Sequence, residues 1–113
     1  VILRKYKAPR HDPKKDPAYL AWLRTLPCVI CFAWKLPSRR YDGKVEAAHV
    51  GERGLGQKCP DQEALPLCIL HHRTGPESHH VLGKHFWTFW KLSRHELVAE
   101  FQREYATQRR DAA

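Results

Sequence analysis

Two cysteine knuckles and a set of histidines hold most of the reactive side chains of this chain. LPCVIC places Cys28 and Cys31 in a C-x-x-C pair, and LPLCILHH places Cys68 and His71 in a C-x-x-H pair. Three thiolates and an imidazole are the donors that a tetrahedral zinc takes, and four protein ligands leave it no open position for a substrate. The zinc is therefore expected to be structural. Residues 45–80 also carry five of the eight histidines. With His71 assigned to zinc, His49 and His72 are the two left for other chemistry. Cys59, between Lys58 and Pro60, has no partner at knuckle spacing and reads as a partly buried thiol outside the zinc set.

The charge balance suggests what that chemistry acts on. Across 113 residues the formal net charge is +8, and the pI is about 9.6. A basic balance of this size favours a polyanionic partner, most simply DNA or another nucleic acid. Hydrolysis of a phosphodiester needs a base to take a proton from water, a hard divalent cation to neutralise charge at phosphorus, and basic groups to hold the backbone. His49 suits the base, since an imidazole titrates near neutrality. His72 suits a ligand for Mg²⁺ or another divalent cation, because the neighbouring zinc ligand His71 would fix its backbone. Asp61 lies between them in sequence and is placed either to orient His49 through its ring N–H or to support the metal site. Arg53 and Lys58 in the Gly-rich loop, with Arg73, Arg39 and Arg40, are candidates for phosphate contacts.

These side chains need elements to carry them. Asp16-Pro17 has the form of an N-cap followed by proline at the first helical position. AYLAWLRTL then spaces Tyr19, Leu20, Trp22, Leu23 and Leu26 as a helix that Pro27 stops, with Trp22 in the core. Residues 44–50 suit a short strand bearing His49, and Gly51, Gly54 and Gly56 mark a loop. Residues 63–67 suit a second strand running up to Cys68. A short helix starting near Cys68 and Ile69 would carry His71 and His72 until Gly75-Pro76 breaks it. HFWTFWKL reads as packing between helices. Ser93-x-x-Glu96 is a capping box, opening a helix with Leu97, Val98, Phe101 and Tyr105 on one face. Residues 1–15 form a basic, extended arm in which Arg4, Lys5, Lys7, Arg10, Lys14 and Lys15 are candidates to lie along phosphates. Residues 16–113 form a single domain, small enough to benefit from a metal staple.

Taken together, A-H-V, then G-x-G-x-K-x-P-D, then L-P-L-C-x-x-H-H resembles the HNH, or ββα-metal, endonucleases. It is most similar to the phage-encoded recombination-enhancement (Ref-like) branch and its prophage relatives. The resemblance covers residues 26–72. It implies an α+β fold, a small zinc-stabilised domain with a short β-hairpin plus helix around one metal, and flanking helices. It implies that His49 is the general base, that Asp61 occupies the middle position, that His72 binds the catalytic cation, and that cleavage leaves 5′-phosphates. Two positions depart from the pattern. Ala48 stands where many members carry a metal-ligating Asp or His. Pro76 stands where some carry a further His, and His79 or His80, displaced beyond it, is the candidate to complete the metal shell.

Two rival readings keep the zinc knuckles. One is a catalytically inactive module that binds nucleic acid, with Ala48 as its main argument. The other is a protein-interaction adaptor using Phe86–Trp90. No apolar run approaches the roughly 18 residues of a membrane span, and VILRKYK lacks the apolar core of a signal peptide. Reduced cysteines at metal spacing suit a cytoplasmic setting, which is the bacterial host's if the chain is phage-encoded. A partner protein that directs cleavage is compatible with so small a domain.

Overall fold

The computed structural model describes residues 14–36, 44–51 and 59–112. Asp16 caps helix α1 (Pro17–Leu23), its carboxylate accepting the Tyr19 N–H at 3.2 Å, with proline in the first turn where its missing N–H costs nothing. Tyr19 and Leu23 point into the core. The chain then turns through Pro27 into α2 (Val29–Ala33), which has Cys28 at its N-cap. The helix buries Val29, Ile30 and Cys31 and leaves Phe32 exposed.

Strand β1 (Val45–His49) pairs antiparallel with β2 (Ala64–Cys68), in a register that sets Val45 opposite Cys68 and His49 opposite Ala64. Both strands fall where the sequence reading puts them. The second starts one residue later because Asp61–Glu63 form a 3₁₀ turn first. Every residue of β2 is buried, whereas β1 buries only Ala48. After Cys68 the expected helix is a π-helical turn, Leu70–Thr74, closed by the Gly75 N–H on the Leu70 carbonyl at 2.9 Å. Gly75 packs so tightly there that a Cβ would stand 2.8 Å from that same carbonyl.

Three further helices complete the α+β fold. Ser78 caps α3 (His79–Leu82), accepting the Val81 N–H. A 3₁₀ turn leads into α4 (Phe86–Trp90), where Phe86 is buried and Phe89 is half exposed, so the aromatic run is only partly packing. The Ser93 hydroxyl accepts the Glu96 N–H, and α5 (Arg94–Ala112) follows. Its expected inner face is real: Val98 is buried, and Leu97, Phe101 and Tyr105 are partly so. Phe101 touches both core clusters, one of α2, the hairpin and Phe86, the other of Tyr19, Leu23 and Ala64. Trp22 packs on Tyr19, Phe101 and Tyr105 and donates its indole N–H to Gln108, so it belongs to this interface. No helix among the described residues is long and apolar enough to cross a membrane.

Candidate metal centre and histidine cleft

Three elements meet at the first site. Cys28 comes from the start of α2 and Cys31 from within it, Cys68 ends β2, and His71 sits on the π-helical turn. All four are buried, and their ligand atoms lie within 4.8 Å of one another. His71 Nδ1 is 3.2 Å from Cys68 Sγ, 3.5 Å from Cys31 Sγ and 3.7 Å from Cys28 Sγ, and the Cys31 and Cys68 sulfurs are 3.9 Å apart. A tetrahedron with metal–sulfur bonds of about 2.3 Å has edges of roughly 3.7 Å, so the donors already stand near ligand spacing. None of the four cysteines is in a disulfide. The His71 ring is further held edge-on by Trp90, 5.1 Å between centroids.

Crowding divides the thiol acidities. Hydrogen bonding from Cys28, helped by His71, pulls Cys68 down to about 4 against the opposing effect of burial. The same bond, with burial, pushes Cys28 up, and burial pushes Cys31 up to about 11. One thiolate is thus favoured even before an ion binds, and a dication offsets the repulsion that opposes the others. Donor types, burial and spacing are consistent with a structural zinc. Cys59 is buried outside this cluster, near the Pro60 carbonyl, as its spacing implies.

The second site is a cleft of about 510 Å³ lined by Ala47, His49, Gly51, Cys59, His72, His79 and His80. Strand β1 brings His49 to it, and the π-helical turn brings His72. His49 Nε2 is 2.8 Å from Asp61 Oδ1. Asp61 is itself held in place: its Oδ2 accepts the Asp16 N–H at 2.7 Å, and its own N–H donates to the Lys14 carbonyl at 2.9 Å. Burial pushes the Asp61 carboxyl up, but the Asp16 N–H, the His49 ring and the charge of Lys15 outweigh it and hold the carboxyl below its ordinary value. An ionised carboxylate only accepts hydrogen bonds, so His49 carries its proton on Nε2 and presents Nδ1 as the basic atom. Of the two roles open to Asp61 in the sequence, the geometry matches orientation of His49.

Across the cleft, His72 Nδ1 lies 2.7 Å from Glu46 Oε1. Arg73 grips the same carboxylate at both oxygens, with Nε 3.0 Å from Oε1 and a terminal nitrogen 2.9 Å from Oε2. Hydrogen bonds from Arg73, against burial and with help from His72, hold Glu46 down to about 2. The His80 ring packs edge-on against His72 at 4.8 Å, whereas His79 packs on Phe86 at 5.3 Å. Burial lowers the His79 pKa, with the neighbouring positive groups adding to it. Ala48, where a ligand was in question, is fully buried in the core and offers none. Among the described residues, the zinc-type cluster is the one group of three or more such donors close enough for a single ion.

Glu46 escaped the sequence reading. It lies three residues before His49 and far from His72 in sequence, and only the hairpin register joins them. Arg73 sits beside the cleft as expected, but is engaged with Glu46. Arg39, Arg40, Arg53, Lys58 and residues 1–13 of the arm lie outside the described residues. Comparison with protein-family models, curated proteins and solved structures finds no match.

Proposed function

We propose that this protein is a zinc-stabilised, metal-dependent endonuclease of the HNH type that hydrolyses DNA phosphodiester bonds. The observation that carries the reading is the His49–Asp61 pair, 2.8 Å apart, on a cleft whose lining also includes His72 and His80. His49 Nδ1 takes a proton from water as the water attacks phosphorus, and Asp61 stabilises the imidazolium that forms. His72 and His80 are the residues that would hold the divalent cation, with water and phosphate completing its shell. The chemistry such a cation supplies is neutralisation of charge on the phosphoryl oxygens and the departing 3′ oxygen. Imidazole donors suit Ni²⁺, whereas Mg²⁺ and Mn²⁺ prefer the oxygen ligands that water and phosphate would supply, so both Mn²⁺ and Mg²⁺ are tried. The formal charge of +8 supports binding along a phosphate backbone.

The deciding experiment incubates the protein and His49→Ala with supercoiled plasmid and with single-stranded DNA, under Mn²⁺, Mg²⁺ or chelator. Metal-dependent nicking by the parent alone supports the reading, and equal cleavage by both refutes His49 as base. The buried Ala48, and the want of a third close donor among the described residues, favour a second reading, a catalytically inactive zinc module that binds nucleic acid. Salt-sensitive binding with no cleavage under any ion would select it.

A further inference from the structure

His49 and His72 line the same cleft, yet carboxylates hold them by opposite ring nitrogens, Nε2 in His49 and Nδ1 in His72. We infer that Glu46 is a positioning residue: it locks His72 as the Nδ1–H tautomer, so that Nε2 keeps the lone pair with which His72 binds a divalent cation in the cleft. The use of that lone pair rests on the endonuclease reading; the tautomer does not.

The argument is one of donor inventory. A carboxylate shared with a guanidinium has no proton to give, and Glu46 Oε1 accepts from Arg73 as well as facing His72 Nδ1. A contact of 2.7 Å is a hydrogen bond only if one partner donates, so the proton sits on His72 Nδ1. A neutral imidazole so fixed leaves Nε2, on the far edge of the ring, as its acceptor. Arg73 matters because it keeps Glu46 in place at both oxygens and comes from the same turn as His72. The backbone that follows zinc ligand His71 therefore grips β1 at one carboxylate with two successive side chains. Carboxylates that fix a metal-ligating histidine in this way typically contribute 10–100-fold in metal affinity. A plain surface ion pair between Glu46 and Arg73 would have no such effect on the tautomer of His72.

The test uses the full, zinc-loaded chain. Long-range ¹H–¹⁵N correlation spectra report the tautomer of His72, assigned by its loss in His72→Gln, and Mn²⁺ titration calorimetry reports the cleft. We expect Nδ1–H in the parent, a shift toward Nε2–H in Glu46→Ala, and Mn²⁺ affinity weakened about 10–100-fold. Glu46→Gln, which keeps an acceptor oxygen, should fall between the two. Nε2–H in the parent overturns the inference without need of any variant, and so does an unchanged tautomer in Glu46→Ala. The expected tautomers in a protein that binds Mn²⁺ but nicks no DNA would uphold Glu46 and count against the endonuclease reading.

Discussion

The backbone N–H of Asp16 donates to Asp61 Oδ2 at 2.7 Å, so the residue that caps α1 also holds the carboxylate that grips His49. The histidine is thereby referenced to the first helix of the described fold as well as to its own strand. Asp61→Asn keeps the shape but lets the amide present either oxygen or nitrogen to His49, so the tautomer is no longer enforced. Plasmid nicking should fall at least tenfold, a share of the ~10²–10⁴-fold that a general base contributes. DNA binding, followed by fluorescence anisotropy, should be unchanged. Parent-level nicking by this variant would remove Asp61 from the mechanism.

The acid limb of stability should carry the signature of Glu46. Its carboxyl is held at about 2 against an ordinary 4.5. A depressed carboxyl contributes stability that is fully present above the ordinary value and is lost as pH falls through the lowered one. Asp61 is shifted in the same direction from 3.8. The gap in urea midpoint between parent and Glu46→Gln should therefore be present at about pH 5 and close as pH falls below the ordinary value toward the lowered one. A gap that widens in acid would contradict the pairing. Because protonation of the cluster's ligands also releases zinc, the gap is read only over the pH range in which both variants still hold it.

Removal of zinc should unfold the protein rather than merely loosen it. Structural zinc sites release about 10–16 kcal/mol on binding, as much as the whole stability of a typical small domain. Cys31→Ser should abolish stoichiometric zinc, measured by plasma emission, together with the cooperative thermal transition. A folded, zinc-free variant would mean that the two cores suffice alone.

Gly51 lies two residues beyond the strand that ends at His49, and a Cβ there would collide with the Glu63 carboxylate and stand 2.7 Å from Cys59 Sγ. Gly51→Ala should cost about 1–3 kcal/mol as the strand end shifts, read from the urea midpoint. Nicking should drop with it, because His49 lies two residues away. Unchanged stability and activity would show that the Glu63 side chain simply swings aside.

Local signals carried much of this structure. Asp16-Pro17, the two knuckles and Ser93 each fix a backbone with side chains a few residues away, and each stands where the sequence puts it. His49 and Asp61 were legible as a pair by residue type, though their contact was not. What stayed hidden depends on register and on turn geometry. Glu46 reaches His72 because β1 lies antiparallel to β2 in one particular alignment, which the weak alternation of residues 44–50 does not specify. The π-helical turn after Cys68 has the sequence of an ordinary helix, since a wider turn leaves no mark in apolar spacing. The choice between His79 and His80 was open for the same reason. The chain reverses at Gly75-Pro76, and only the path of α3 shows that His80 is the one against His72.

His71 and His72 are consecutive, with Cα atoms about 3.8 Å apart across a trans peptide. One faces a closed nest of thiols, the other an open cleft of imidazoles. On the proposed reading the molecule has an ion-sorting problem at a single step of backbone. Thiolates secure zinc for the first position, but imidazoles also rank zinc above manganese and magnesium. On the proposed reading, scarce zinc leaves the chain without its scaffold, while surplus zinc poisons the cleft. Activity should pass through an optimum in zinc, and the cell that makes this protein must meter that ion as well as supply it.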